Sequence, residues 1–415
     1  MQSIFKFYGS IPLWKKVTAG LALGIITGLI FGEKAGELRP IGELFMRLIK
    51  MVIVPLIYIS IVNAIISVED TSKLSRITVK AIILFLFTTC FSVTIGLLFS
   101  HFLKPGAGLD PESLGLLKNV DRAVGAHGGI TFYKLIQDVI PENALNALVS
   151  GKLLQVVFFS FFTGFVINLL GKEREGIIQV FNVGFRVVFK MIEIIFKLAP
   201  YGAFGFSAAV VGVQGMSVLT TLGALMLVFF IAVFVQYVLF GVFILFAGLS
   251  PIPFYKKSLE YQVIALSTSS SKAALPTTMR VCAEKLGISQ INTSFILPLG
   301  AVINMDGVSI YLGVCAVFFA QIYNIDLTMV DYLIIIFTST LGSIGAAGIP
   351  SGTIIMLPMV LSAINIPIEG IALIIGIDRI LDMFRTALSI TGDTVITLIV
   401  DKTEGTLNKK LYHSK

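Results

Sequence analysis

Charge is what this chain has least of. Asp, Glu, Lys and Arg make up 13% of its 415 residues, about half the share in a soluble globular domain. So little charge excludes a water-soluble globule. With 56% hydrophobic residues and a mean hydropathy of +0.94, the chain reads instead as an all-α polytopic membrane protein. Cysteine is nearly missing, and Cys90, Cys282 and Cys315 lie in or beside apolar runs with no pairing pattern. That excludes a disulfide framework and a cysteine metal site. The three histidines are equally uninformative, with His101 near a predicted helix end, His127 in a loop and His413 in the tail. They build no catalytic or metal-binding constellation. The net charge of +7 is spread over the ends of apolar runs rather than gathered in one patch, which argues against a nucleic-acid partner.

Long apolar runs are what the chain has in abundance. They recur near Val17–Gly32, Phe45–Val68, Ala81–Leu103, Leu153–Leu170, Val180–Val213, Leu219–Gly248, Phe295–Ile322, Tyr332–Ile364 and Ile371–Val400. This predicts seven or eight crossings plus shorter pieces. Lys6, Lys15 and Lys16 ahead of the first run resemble the basic start of a signal peptide, but no small-residue cleavage site follows, so the run is expected to stay as a first span. A cytoplasmic N-terminus puts Lys73, Arg76 and Lys80, then Lys172 and Arg174, then Lys256 and Lys257, then Lys402, Lys409 and Lys410 on one side. The connections at Gly202–Gly215, Tyr323–Asp331 and Ile364–Glu369 hold no Lys or Arg and fall on the other. The exception is the long mixed-charge loop Lys104–Glu142, and loops of that length constrain topology weakly.

Two segments break the pattern of simple crossings. Between Pro251 and Lys285 both ends are basic, while the middle holds Ser267–Ser271 followed by Ala-Ala-Leu-Pro, which predicts a re-entrant hairpin with a non-helical tip. A matching interruption, Gly345–Gly352, divides Tyr332–Ile364 from the opposite side. Each is followed by a span with polar residues at its middle: Asn304–Gly307 in Phe295–Ile322, and a charged stripe in Ile371–Val400. Paired interrupted segments entering from opposite sides point to inverted repeats of a secondary transporter with its site near the midplane. Close helix packing by small residues is the simpler reading, but it leaves Asp306 and the stripe unexplained.

The stripe is the most telling feature. At about 100° per residue, Asp378, Asp382, Arg385, Ser389 and Asp393 share one helix face, with Thr386 at its edge. Each ion at a bilayer centre costs roughly 2.5–3.5 kcal/mol on insertion scales, so the face must meet protein or a polar cavity. Arg385 offers a fork for a carboxylate and Asp382 an acceptor for an ammonium, which together describe an acidic amino acid. The second carboxylate would fall to backbone N–H groups at the hairpin tips and to hydroxyls such as Thr386. Asp306 and Asp393, with Asn304 and backbone kinked at Gly307 and Gly392, supply hard oxygen ligands suited to Na⁺. Two alternatives remain at this level: the aspartates pair with Arg379 or Arg385, or one of them carries a proton. An enzymatic serine nucleophile at Ser267–Ser271 has no base beside it in a matching span, so no enzyme is expected. An ion channel lined by the same stripe is the competing transport class.

The motifs SSSKAALP, NMDGVSIY, GAAGIPSG and LDMFRTALSITGD, ending in KTEGTL, resemble the signature blocks of the glutamate transporter family, the dicarboxylate/amino acid:cation symporters. LIKMVIVPLIYISIV and FLKPGAGL extend the likeness along the whole chain. The resemblance implies eight transmembrane helices plus two re-entrant hairpins, and a homotrimer whose protomers work by an elevator motion. It implies a scaffold of residues 1–76 and 143–215, and a transport unit of 77–103 and 216–401. Residues 104–142 form an outer loop, and 402–415 a cytoplasmic tail. It further implies a location in the cell's inner membrane with both termini cytoplasmic, no prosthetic cofactor, and Na⁺, or alternatively H⁺, as the co-transported ion.

By matching motif, Asp382 would bind the substrate amino group, Arg385 its side-chain carboxylate, and Thr386 with Ser389 its main carboxylate. Ser271 and the backbone of Gly348, Ile349 and Pro350 would close around it. One sodium site would use Asp393 with carbonyls of Gly300, Asn304 and Ser389; a second would use Asn304, Asp306, Thr88 and Thr89. A third would use Met305 and carbonyls around Val302, Ser343, Ile344 and Ala346. Against the family pattern, Val308 stands in place of Thr, Ser389 in place of Asn, Phe85 in place of Tyr and Ser269 in place of Arg, while Lys272 is an added hairpin-tip cation. Losing a polar contact costs about 1–3 kcal/mol, enough to shift preference between related substrates. Aspartate or glutamate leads, and cystine or a dicarboxylate is the alternative.

Overall fold

The computed structural model describes residues 13–66, 75–107, 139–215, 217–345 and 352–414, and among these every regular element is a helix. Leu13–Phe31 (α1) and Arg39–Ile66 (α2) are joined by a 3-10 turn at Gly32–Leu38. Ser75–Leu103 forms α3 and Leu153–Leu169 forms α4. Arg174–Phe196 (α5) and Ala199–Gln214 (α6) follow, bent against each other by 48°. Ser217–Phe246 is α7, Pro251–Thr268 α8, Ser271–Glu284 α9, Gln290–Ile303 α10 and Asp306–Ile322 α11. Met329–Gly345 (α12) and Gly352–Ala363 (α13) precede a second 3-10 turn, Ile368–Leu373. Ile375–Thr403 is α14 and Lys409–His413 is α15.

Among the described residues, five stretches are long and apolar enough to cross a bilayer, and the bent α5–α6 pair makes a sixth. The first, Lys15–Ile66, has 52 residues, and at about 1.5 Å per residue it is more than twice the roughly 30 Å of a hydrocarbon core. Glycine contacts show why. Gly20, Gly24 and Gly28 press on Pro200, then Phe204 and Ser207, then Ala208 and Gly212, so α1 and α6 run in the same direction. Gly42 meets Phe206 while Phe45 covers Gly202, so α2 runs against α6. The chain therefore reverses at Gly32–Leu38, and the stretch is two antiparallel helices rather than one long one. Glycine every fourth residue lets backbones touch, which is the favoured way to associate helices where no hydrophobic force separates helix from lipid.

The same reasoning places the rest. Gly96 abuts Ile310 and Gly106 abuts Phe318, so α3 runs parallel to α11. Asp393 lies beside Gly300 and Asp401 bonds to Asn292, so α14 runs antiparallel to α10 and α11. The basic loops of the charge reading meet at one end of the molecule: Arg76 and Lys80 reach Glu404, and the Lys257 ammonium donates to the carbonyls of Lys285, Leu411 and Tyr412.

Ser269, at φ 50°, turns the chain between α8 and α9, and Ser270 caps α9 by accepting from the Ala273 N–H. Glu260 at the middle of α8 pairs with Arg280 in the last turns of α9 and with Lys285 just past its end, so the two helices fold back as a hairpin. α12 and α13 also pack together, with Gly342 against Met356 and Met359; their connection, 346–351, lies outside the described residues. Two expectations are corrected. The run Val180–Val213 is not a straight span followed by a connection at Gly202–Gly215: it bends where α6 begins, with Pro200 in its first turn, and residues 202–214 are helical. The last span is not interrupted: α14 is continuous through Gly392.

Candidate functional site

Between α10 and α11 the helix stops for two residues. Asn304 is extended (φ −100°, ψ 98°) and Met305 is non-helical (φ −118°, ψ 59°), which breaks the ladder at the middle of a buried span. Asn304 becomes the hub of a polar cluster. Its Oδ1 accepts from Thr88 Oγ1 at 3.2 Å and Thr89 Oγ1 at 3.1 Å on α3. Its Nδ2 donates to Asp306 Oδ2 at 3.3 Å and to Asp393 Oδ1 at 3.0 Å. Ser92 Oγ, one turn beyond Thr88 and Thr89, donates to Asp306 Oδ1 at 3.2 Å.

Gly392 is what allows this contact, since a Cβ there would lie 2.2 Å from Asp306 Oδ2 and 3.1 Å from Asn304 Nδ2. It acts through close approach rather than the kink expected of it. Gly300 does the same for Asp393, with a Cβ position 2.7 Å from Oδ1 and 3.0 Å from the Phe85 ring.

Asp306 and Asp393 are 0% and 1% exposed, and among the described residues neither forms an ion pair with a basic side chain. Pairing with Arg379 or Arg385 is thereby excluded in this structure. Two buried carboxylates without a counter-charge cost several kcal/mol each. The hydroxyls and the amide offset only part of that, and Asp393 Oδ2 keeps no hydrogen-bond partner. The arrangement is chemically suited to a small hard cation or a proton. Among the described residues no group of three His, Cys, Asp or Glu side chains gathers in the manner of a transition-metal site.

About two to four turns from Asp393 toward the N-terminus of α14 lies the second half of the stripe. Arg385 is fully buried, its Nη2 donating to Asp378 Oδ1 at 2.7 Å and Asp382 Oδ1 at 3.0 Å, and its guanidinium lies 4.3 Å over the Tyr311 ring. Arg379 also reaches Asp382, at 3.4 Å. The charges of Asp378, Arg379, Asp382 and Arg385 thus neutralise one another in this conformation, while Asp393 on the same helix stays outside their pairing. The neutralisation is incomplete at the level of hydrogen bonds, because Arg385 Nε and Nη1 and Asp378 Oδ2 are buried without partners. Each of those two N–H-bearing atoms can donate to a carboxylate oxygen, and each completes a bidentate fork only together with Nη2.

Thr386 Oγ1 donates to Asp382 O at 2.8 Å, and Ser389 Oγ donates to Arg385 O at 2.9 Å while accepting from the Gly307 N–H at 3.0 Å. Ser389 therefore ties the first turn of α11 to α14, joining the cation cluster to the arginine.

The other expected residues fall as follows. Val308 is buried one residue beyond Gly307, which itself lies against Arg385 O. Ser271 is buried at the start of α9, and α9 packs on both α10 and α14. Met305 is buried at the break, Val302 is half-buried in the last turn of α10, and Ser343 and Ile344 are buried near the end of α12, which packs on α3 and α10. Ala346, Gly348, Ile349 and Pro350 lie outside the described residues. Asp378, Tyr311 and Ser92 were not assigned a role from the sequence. Their signals are local: Asp378 is on the stripe, Tyr311 follows Gly307 by one turn, and Ser92 follows Thr88 by one turn.

Comparison with known proteins identifies the family. The sodium:dicarboxylate symporter family matches residues 13–403. A proton/sodium-glutamate symport protein of Bacillus caldotenax is 33% identical over 403 residues, covering 95% of each chain. A C4-dicarboxylate transport protein of Azorhizobium caulinodans is 33% identical over 408 residues, covering 97% of this chain and 91% of the relative. Another C4-dicarboxylate transport protein, from Bacillus subtilis, is 34% identical over 391 residues, or 94% and 93%. These relatives are transporters, not enzymes. This chain, with its buried carboxylate pair and arginine, belongs to the sodium:dicarboxylate symporter family.

Proposed function

We propose that the protein takes up an acidic amino acid, aspartate or glutamate, together with a cation, and that Na⁺ is that cation. The observation that carries the reading is the pair of buried carboxylates, Asp306 and Asp393, joined through one Asn304 amide and lacking any basic partner among the described residues. A cation entering there cancels the charge that the fold leaves uncompensated. Substrate and cation are coupled because Ser389 links the first turn of α11 to the backbone of Arg385. An ammonium takes Asp382 and releases Nη2 of Arg385 from it, and an incoming carboxylate takes the fork that Nη2 makes with one of the two unspent donors, Nε or Nη1. Ser271 and the tip at Gly348–Pro350 close over the substrate. Met305 with Val302, Ser343, Ile344 and Ala346 would form a further cation position.

Eight crossings and two re-entrant hairpins, a homotrimer, and a transport unit moving against a scaffold as an elevator complete the proposal, with both termini in the cytoplasm of an inner membrane. A C4-dicarboxylate is the second reading, favoured by the relatives that are C4-dicarboxylate transport proteins. Asp382 separates the two, since a dicarboxylate brings no ammonium to meet it. The test is uptake of labelled aspartate into proteoliposomes with glutamate, cystine and succinate as competitors. Competition by glutamate but not succinate is expected. Succinate competing as well as glutamate would replace the first reading by the second.

A further inference from the structure

At the opposite end of the molecule from the Glu404 contacts, α2, α6 and the 3-10 turn Ile368–Leu373 enclose a cavity of about 340 Å³. Its polar wall is Arg39, Glu43, Arg47 and Lys50 of α2, with Glu369 opposite. At about 100° per residue the four α2 side chains lie within roughly 80° of one helix face, so they act as one surface. Both acids are spoken for: Glu43 is 3.0 Å from Arg39 and Glu369 is 3.0 Å from Lys50. Arg47 forms no ion pair or hydrogen bond among the described residues, so the wall keeps one cation to spare.

The other wall is apolar, from Phe206, Ala209, Val210 and Leu373. Leu44 and Met51, three residues before and four after Arg47, are its neighbours on the helix surface and are 62% and 58% exposed.

We propose that this cavity binds the headgroup of one anionic phospholipid, its phosphodiester on Arg47 and its acyl chains along Leu44 and Met51. The charge matches, because a phosphodiester carries one negative charge and the wall has one unpaired cation. The shape matches, because an arginine fork takes two phosphate oxygens at once. A free anion would gain nothing from the exposed apolar strip beside Arg47. The headgroup also competes with Glu369 for Lys50, whose bridge joins α2 to the turn before α14.

The purified full-length protein, wild type and R47Q, is washed in detergent, incubated with phosphatidylglycerol, phosphatidylcholine or glycerol 1-phosphate, and weighed by native mass spectrometry. Wild type is expected to retain one phosphatidylglycerol per protomer and little phosphatidylcholine, with retention falling about tenfold in R47Q. Glycerol 1-phosphate at the same concentration is expected not to bind. Equal retention by wild type and R47Q, equal retention of the two lipids, or binding of glycerol 1-phosphate as tightly as the lipid would each overturn the proposal. None of these readings depends on what the protein transports.

Discussion

Arg385 spends one terminal nitrogen on Asp378 and Asp382 and keeps Nε and Nη1 without partners, although no part of it is exposed. Leaving such donors unpaired in a buried place costs about 1–3 kcal/mol, which is tolerable when a ligand satisfies them. Replacing Arg385 with Cys is therefore expected to abolish acidic-substrate uptake while leaving membrane insertion intact, measured by uptake beside a quantified membrane fraction. Unchanged uptake would remove this arginine from the site. Asp393→Asn deletes one of the two buried charges but keeps the Asn304 contact geometry. It is expected to raise the Na⁺ concentration for half-maximal uptake by about tenfold or more, the equivalent of ~1.4 kcal/mol. At this scale the sequence was readable where periodicity speaks: Asp382, Arg385 and Asp393 fall on one face by count alone. It was silent where a rotamer decides, which is why Asp378 was placed on the stripe but not recognised as Arg385's nearest partner. Tyr311 under the guanidinium was invisible for the same reason.

Glycine spacing governs the elements. On α1 a Cβ at Gly24 would lie 1.9 Å from Ser207 Oγ and 2.5 Å from Phe204 O, whereas Gly223 on α7 has open space. Gly24→Val is expected to destabilise the protein by about 1–3 kcal/mol through overpacking, and Gly223→Val to be nearly silent, both read from thermal unfolding in detergent. The far end of the bundle adds a pH effect. Hydrogen bonds from Lys80 first and Arg76 second hold the Glu404 carboxyl below its ordinary range. A carboxylate with a lowered pKa contributes stability above its unfolded value, about 4.3, and that contribution is lost as pH falls through the lowered value. Amide protection factors in 400–414, corrected for the intrinsic pH dependence of exchange, are expected to be constant from neutral pH down to that range and to fall below it, with E404Q already poorly protected at pH 7.

The broken helix at Asn304–Met305 was legible from polar residues inside an apolar run. The glycine at 392 looked like a second break and proved to be a close contact, because a lone glycine in a helical run marks either one. Conversely, the bend ahead of Pro200 was overlooked inside a run that hydropathy alone makes continuous.

Over the whole molecule, relative helix directions follow from contacts alone: α1 with α6, α2 against them, α3 with α11, α14 against α10 and α11. Loop charge anticipated that Arg76, Lys80 and Lys257 share an end with the chain after α14, but not that Arg39, Arg47 and Lys50 gather at the opposite end, because these three lie on α2 and not in a connection. Which parts move is not encoded in any local pattern, since motion is a difference between two packings. The account therefore rests on coupling: a solute held at Arg385 and Asp382 and a cation held at Asn304, Asp306 and Asp393 cross together. Gradient-driven uptake tests that most directly, with labelled aspartate outside proteoliposomes and Na⁺ or H⁺ gradients imposed one at a time. Accumulation above equilibrium with an inward Na⁺ gradient, and none with the H⁺ gradient alone, is the predicted result. Uptake that ignores both gradients would contradict the account.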